Sequence, residues 1–230
     1  MSLWLRVKRR FFRILAGVVL RLITRLEIIN GERIQNTAGP VVIVCNHLGR
    51  MDALITIALA SRDDLIVVVA EKYRKVAVIR WLVRQLDLLF LERFEADLGT
   101  LREVLRRLER GGFLVIAPEG TRSPSEALLQ GKPGAAFLAA KTGAVVIPVG
   151  VTGTEDRVVG EAYRKFRRPK VVLKMGLPYS IPPLPKVGRA EFLAQQTDEI
   201  MTRIAALLPT EYRGVYSNHP LLLSLLGKTK

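Results

Sequence analysis

Val41-Val42-Ile43-Val44-Cys45-Asn46-His47-Leu48-Gly49-Arg50-Met51-Asp52 is the stretch that decides the fold. Its first five residues are β-branched or small and apolar, which suits a strand buried on both faces. Polar and turn-forming residues follow, with Gly49 to ease the bend, and then Met51 to Ser61 reads as a helix. A buried strand that turns directly into a helix is the unit of an α/β domain with a largely parallel sheet.

The same alternation continues outward. Leu65–Val69, Leu88–Leu91, Phe113–Ala117, Val145–Val149 and Val171–Met175 read as further buried strands. Between them, Asp97 is a natural N-cap for Leu98, Leu101, Val104, Leu105 and Leu108 at helical spacing, and Gly111-Gly112 stops that helix. Pro133 to Thr142, closed by Gly143, reads the same way. Helices are also expected over residues 74–85 and 190–208, the second after the proline-rich connector Ile181-Pro182-Pro183-Leu184-Pro185. At 230 residues the chain can bury one sizeable core. The expected organisation is an amino-terminal helix over residues 1–30 and a single α/β domain over 31–230, its mixed, largely parallel sheet flanked by helices.

Composition narrows the chemistry. Cys45 is the only cysteine, so no intrachain disulfide forms and no cysteine cluster holds zinc or iron–sulfur. No metal site and no cofactor are expected. The formal charge of +15 points to an anionic partner. Seven basic residues (Arg6, Lys8, Arg9, Arg10, Arg13, Arg21, Arg25) precede the first acidic one, Glu27. As a helix, Leu3 to Leu26 carries Arg6, Arg10, Arg13, Gly17, Arg21 and Thr24 on one stripe, with Trp4, Phe11, Phe12, Leu15, Val18 and Leu22 over much of the rest. Its longest apolar run, Ile14 to Leu20, is far short of the roughly 20 residues that span a bilayer. Such a helix lies in a membrane interface with its arginines at lipid phosphates, or docks on the protein's own core.

His47 stands just after a strand, at the carboxyl end where open α/β sheets place their sites, and Asp52 falls in the first turn of the next helix. On one continuous helix a five-residue offset would turn the two about 140° apart, so their pairing requires the strand–turn–helix junction. A carboxylate on one imidazole nitrogen fixes the tautomer and leaves the other nitrogen to take a proton from a hydroxyl. The same residues also fit a plain helix cap. After the strand at 113–117, Pro118-Glu119-Gly120-Thr121-Arg122-Ser123 offers backbone N–H groups, a hydroxyl and a guanidinium fork, a set suited to phosphate or equally to an ordinary polar turn. Arg93, after Phe90-Leu91-Glu92, would reach the same sheet edge.

Taken together, Asn46-His47 with Asp52, Phe90-Leu91-Glu92-Arg93, Pro118-Glu119-Gly120-Thr121-Arg122-Ser123 and Val146-Ile147-Pro148-Val149 resemble, in order and spacing, the four blocks of the glycerolipid acyltransferase family. The likeness is greatest to its 1-acyl-sn-glycerol-3-phosphate acyltransferases and covers roughly residues 41–151. It implies direct transfer of a fatty acyl group from acyl-CoA or acyl-carrier protein to a glycerol hydroxyl, giving phosphatidic acid where lysophosphatidic acid is the acceptor. His47 would be the general base and Asp52 its orienter. Arg93, Glu119, Gly120, Thr121 and Arg122 would hold the acceptor's phosphate and its turn, with Lys72 a candidate oxyanion donor. Another lysophospholipid or glycerol 3-phosphate remains an alternative acceptor. The chain departs from the family pattern at Gly49, where many relatives have serine, and at Ala117, where an aromatic is usual. The partners expected are an anionic membrane surface, a lysophospholipid and the acyl donor, on the cytoplasmic face of a bacterial cell membrane.

Two other classes compete. A nucleic-acid-binding module would use Arg164-Lys165-Phe166-Arg167-Arg168-Pro169-Lys170, but only Tyr163 and Phe166 offer stacking rings there, so no nucleic acid is expected as partner. A thiol hydrolase would pair Cys45 with His47, two residues apart on one strand face.

Overall fold

The computed structural model describes residues 3–59, 62, 64–92 and 97–227. In chain order they form α1 (Leu3–Ile23), β1 (Arg25–Ile29), α2 (Glu32–Gln35), β2 (Val41–Cys45), α3 (Met51–Leu59), β3 (Leu65–Ala70), α4 (Ala77–Leu86), β4 (Leu89–Leu91), α5 (Leu98–Glu109), β5 (Phe113–Ile116), α6 (Gly134–Thr142), β6 (Val145–Thr152), α7 (Asp156–Arg164), β7 (Lys170–Met175), β8 (Tyr179–Ser180), α8 (Arg189–Ala205) and α9 (Pro220–Gly227). The sheet runs β1-β7-β6-β2-β5-β3-β4, with β8 also paired to β6. From β6 through β4 every pairing is parallel, β7 and β8 run antiparallel to β6, and β1 is parallel to β7. The fold is therefore α/β with a mixed, mostly parallel sheet between helical layers.

Strand alternation builds the two cores. Val42, Val44, Leu114 and Val146 face α5, α6, α8 and α9, packing with Leu108, Ile200, Ile204 and Leu222. Val41, Ile43, Phe113, Ile147 and Val149 face the other way, toward Leu20 of α1, Ile34 of α2 and Ile55 of α3. Burial on both faces explains why β2 reads as an unbroken apolar run.

Two expectations change. The amino-terminal helix ends at Ile23 rather than Leu26, because the Thr24 hydroxyl closes the last turn on the Leu20 carbonyl at 2.7 Å and the Arg25 N–H is taken by the Pro169 carbonyl at 2.8 Å. Residues 25–29 then join the sheet as edge strand β1, so a division at residue 30 cuts off a strand that belongs to the main domain. Residues 156–164, read from the sequence as no element, form α7, whose few apolar residues leave none of its side chains buried.

α1 itself has two faces. Phe12, Ala16, Leu20 and Ile23 turn toward the protein, where Leu20 is 1% exposed and Phe12 meets the Trp81 ring of α4 edge-on at 5.7 Å. Opposite them Trp4, Val7, Phe11, Ile14, Val18 and Leu22 are all exposed, and at helical spacing they fall within about 80° of one another. Docking on the core and an outward apolar stripe are thus properties of one helix. Among the described residues no helix is long and apolar enough to cross a membrane.

Candidate active site

Parallel pairing of β2 with β5 and β6 brings three strand ends together, and with them three loops separated by many residues. The amide of Asn46 locks the first of these ends in place, donating to the Val151 carbonyl at 2.8 Å and accepting from the Val151 N–H at 2.7 Å. Beyond it His47 and Asp52 meet. The His47 Nδ1–H donates to Asp52 Oδ2 at 2.7 Å, and the same oxygen accepts the N–H groups of Leu48 at 2.9 Å and Gly49 at 3.2 Å. Asp52 therefore closes the loop on itself while holding the ring. The imidazole is part-exposed, and among the described residues its Nε2 has no hydrogen-bond partner. That geometry would suit a general base, one ring nitrogen open to take a proton and the other fixed by a carboxylate.

Gly49 has a local explanation. A Cβ there would lie 1.7 Å from the Thr154 carbonyl oxygen, so the loop after β2 packs backbone to backbone on the segment leading into α7. No side chain fits, and the usual serine is excluded by this close approach.

The turn after β5 is joined to His47 directly. The His47 N–H donates to Glu119 Oε1 at 3.0 Å, the Leu129 N–H donates to Glu119 Oε2 at 2.9 Å, and the Ser123 N–H donates to the His47 carbonyl at 2.9 Å. Glu119 is 2% exposed, and burial raises its pKa against the pull of these two amide donors. With both oxygens engaged and facing inward, Glu119 ties the turn to the loop that carries His47. Gly120, at φ +69°, makes the left-handed step of the turn. Thr121 is exposed and Arg122 part-buried at the surface of the same turn.

Three charged residues not anticipated from the sequence complete this end of the molecule. Lys132 lies over the turn, its ammonium nitrogen 3.2 Å from where a Gly120 Cβ would stand, while its backbone N–H donates to the Pro118 carbonyl at 2.8 Å. Asp156, at the start of α7, accepts from Arg122 Nη1 at 2.9 Å and from the Arg50 N–H at 2.9 Å. Arg50 adds its own guanidinium 3.6 Å from Asp156. The sequence signal for Asp156 was its place just past the end of β6, at the same sheet edge as His47. Lys132 carried no signal beyond its position before a helix.

Other sequence candidates fall elsewhere. Lys72 follows β3 at the same end of the sheet, exposed, with its ammonium 5.3 Å from the Tyr73 ring centre; among the described residues no contact joins it to His47 or Asp52. Arg93 lies outside the described residues. The surrounding protein strips water from the Cys45 thiol and, with the Asp52 and Glu119 carboxylates nearby, pushes its pKa up. A thiol held protonated is a poor nucleophile, which disfavours the hydrolase reading. Cys45 instead lines an open apolar pocket that reaches from Asn46 and Asp52 down past Ile43, Ile55 and Met175.

Comparison with known proteins agrees with this architecture. A chloroplastic 1-acyl-sn-glycerol-3-phosphate acyltransferase of Arabidopsis thaliana is 28% identical over 131 residues, covering 54% of this chain and 35% of that protein. A chloroplastic enzyme of the same name from Brassica napus is also 28% identical over 131 residues, covering 54% and 36%. The chain thus spans about a third of the length of these curated relatives. The crystal structure of the 1-acyl-sn-glycerophosphate (LPA) acyltransferase PlsC from Thermotoga maritima has the same fold, with a TM-score of 0.61 at 24% identity over 84% of this chain and 76% of that one. Residues 25–152, more than half of the chain, match the family model described as Acyltransferase, and the chain belongs to that family.

Proposed function

We propose that the protein transfers a fatty acyl group from a thioester donor, acyl-CoA or acyl-carrier protein, to the free hydroxyl of 1-acyl-sn-glycerol 3-phosphate, giving phosphatidic acid. The observation that carries this reading is the 2.7 Å His47–Asp52 pair set beside a turn that bears Arg122 and lies under Lys132. His47 Nε2 takes the acceptor's hydroxyl proton as that oxygen attacks the thioester carbonyl. The new C–O bond forms, the tetrahedral intermediate expels the thiolate, and the imidazolium returns the proton to sulfur. Asp52 stabilises the imidazolium between these steps. No covalent acyl-enzyme and no cofactor enter.

Arg122, Lys132 and Arg93 are assigned to the acceptor phosphate, with Asp156 orienting Arg122 and Glu119 holding the turn. The apolar cavity behind Asp52 suits an acyl chain. The outward stripe of α1 supports peripheral attachment to the cytoplasmic face of the membrane, with its arginines at anionic headgroups.

An acyl-transfer assay with lysophosphatidic acid tests the reading. His47→Ala is expected to lose on the order of 10²–10⁴-fold in kcat, and Asp52→Asn a similar range. Equal rates for wild type and His47→Ala would sink it. Arg122→Ala and Lys132→Ala should each raise KM for lysophosphatidic acid roughly tenfold, as loss of one charge-assisted bond does, and leave KM for monoacylglycerol unchanged. Equal effects on both acceptors would move the phosphate site elsewhere.

A further inference from the structure

The turn that follows α7 is built against the usual rules for a surface loop. Phe166 is 100% exposed and stands at φ +51°, the left-handed conformation that a helix end ordinarily gives to glycine or asparagine. The turn is well hydrogen-bonded: the Phe166 N–H donates to the Tyr163 carbonyl at 3.0 Å and the Arg167 N–H to the Ala162 carbonyl at 2.8 Å. These bonds fix the backbone from which the ring projects. A phenyl ring wholly in water contributes nothing to the isolated molecule's core, and glycine would suit the backbone better. Around the ring, Arg164, Lys165, Arg167 and Arg168 are all exposed, so it forms the tip of a basic collar.

Two contacts fix where this tip lies. The Tyr163 hydroxyl donates to the Ile23 carbonyl at 3.3 Å, and Arg168 donates to the Arg21 carbonyl at 3.1 Å. Both carbonyls belong to the last turn of α1, the helix whose outward side is the apolar stripe. Arg25 pairs with Lys170, and β7 runs antiparallel to β6, so the turn, the end of α1 and His47 share one end of the sheet. At the far end of α7, about 13 Å away by helical rise, Asp156 binds Arg122.

We propose that residues 164–168 are a second membrane-docking element, with Phe166 inserted among acyl chains at an anionic bilayer surface and Arg164, Lys165, Arg167 and Arg168 at lipid phosphates. The proposal rests on the peripheral-membrane reading of α1 and goes beyond it. A lone interfacial helix is free to roll about its axis, and a second anchor at one end of α1 removes that freedom. The His47 end of the sheet is then held toward the surface that contains its substrate. A bilayer fits better than a nucleic acid because the tip carries one ring set against an apolar helix, whereas stacking on bases needs successive rings along a groove.

Co-sedimentation of the full chain with phosphatidylcholine vesicles holding about 30 mol % phosphatidylglycerol tests the proposal. Phe166→Gly is expected to melt at the wild-type temperature or above, since it relieves the left-handed backbone, yet to lose about tenfold in vesicle affinity, as removal of a buried ring does. The double variant Lys165→Glu, Arg167→Glu should lose affinity for these vesicles and leave the residual binding to pure phosphatidylcholine unchanged. If wild type and Phe166→Gly bind equally well, the turn is no anchor and α1 alone suffices. If Phe166→Gly melts well below wild type, the ring serves the fold and the proposal fails. Wild type that pellets with no vesicle, or that binds an oligonucleotide in preference, overturns the reading of α1 along with it.

Discussion

At Gly49 a single added carbon would overlap the Thr154 carbonyl, and the same residue's N–H helps hold the Asp52 carboxylate. Gly49→Ala should therefore destabilise the fold by about 1–3 kcal/mol or more, as overpacking does, and lower acyl transfer with it; denaturant unfolding and the transfer assay read the two effects. Gly17 on α1 is the control, because a Cβ there meets nothing within 4 Å. Gly17→Ala should stabilise by up to about 1 kcal/mol through helix propensity. Glu119 offers a pH-dependent test. Burial raises its pKa above the ordinary 4.5, so the folded state binds this proton more tightly than the unfolded one. Its contribution is most favourable below 4.5 and declines as pH rises through the raised folded value. Unfolding free energies of wild type and Glu119→Gln, compared from about pH 4.5 to 7, should shift against wild type as pH rises; a constant difference would mean that the carboxyl is ionised throughout.

Among elements, α1 separates two kinds of apolar residue that composition cannot distinguish. Leu20 is buried in the core that Val41 and Ile43 face, and Leu20→Ala should cost about 2–4 kcal/mol. Trp4 is 66% exposed and Phe11 lies on the same outward side. The double variant Trp4→Ser, Phe11→Ser should change stability by less than about 0.5 kcal/mol while cutting vesicle binding tenfold or more, roughly the transfer of two rings to water. Thermal unfolding and vesicle co-sedimentation, run side by side, separate the faces. The periodic pattern that revealed this helix also hid β1. Leu26 continues the helical spacing, but the Arg25 N–H is captured by Pro169, over a hundred residues away, and the chain leaves the helix for the sheet.

For the whole molecule, charge and topology act together. The +15 surplus includes the basic flank of α1, the 164–168 collar and the Arg122, Arg50 and Lys132 group, and pairings within the sheet bring the last two to its His47 end. Acyl transfer on vesicles should rise with the anionic lipid fraction and fall severalfold between about 0.1 and 0.5 M salt, as screened surface attraction requires. A rate on anionic vesicles that ignores salt would place substrate capture on apolar contacts alone.

Local order was legible in the sequence because it depends on neighbours. The buried strand Val41–Cys45, the turn at Gly49, the cap at Asp97 and the proximity of His47 to Asp52 follow from periodicity, turn chemistry and a five-residue separation. The family resemblance extended that reading to the Pro118–Ser123 turn. Contacts between distant segments were not legible. Lys132 over Gly120, Asp156 on Arg122, Thr154 against Gly49 and Arg168 on the end of α1 join residues 12 to 147 positions apart, and sequence spacing carries no information about such pairs. Tertiary structure alone decided that Glu119 faces inward, that one side of α1 is left uncovered, and that Phe166 stands fully in water. The first depends on which strand ends the parallel pairing of β2, β5 and β6 brings side by side, and the last on the pairing of β7 with β1 and β6.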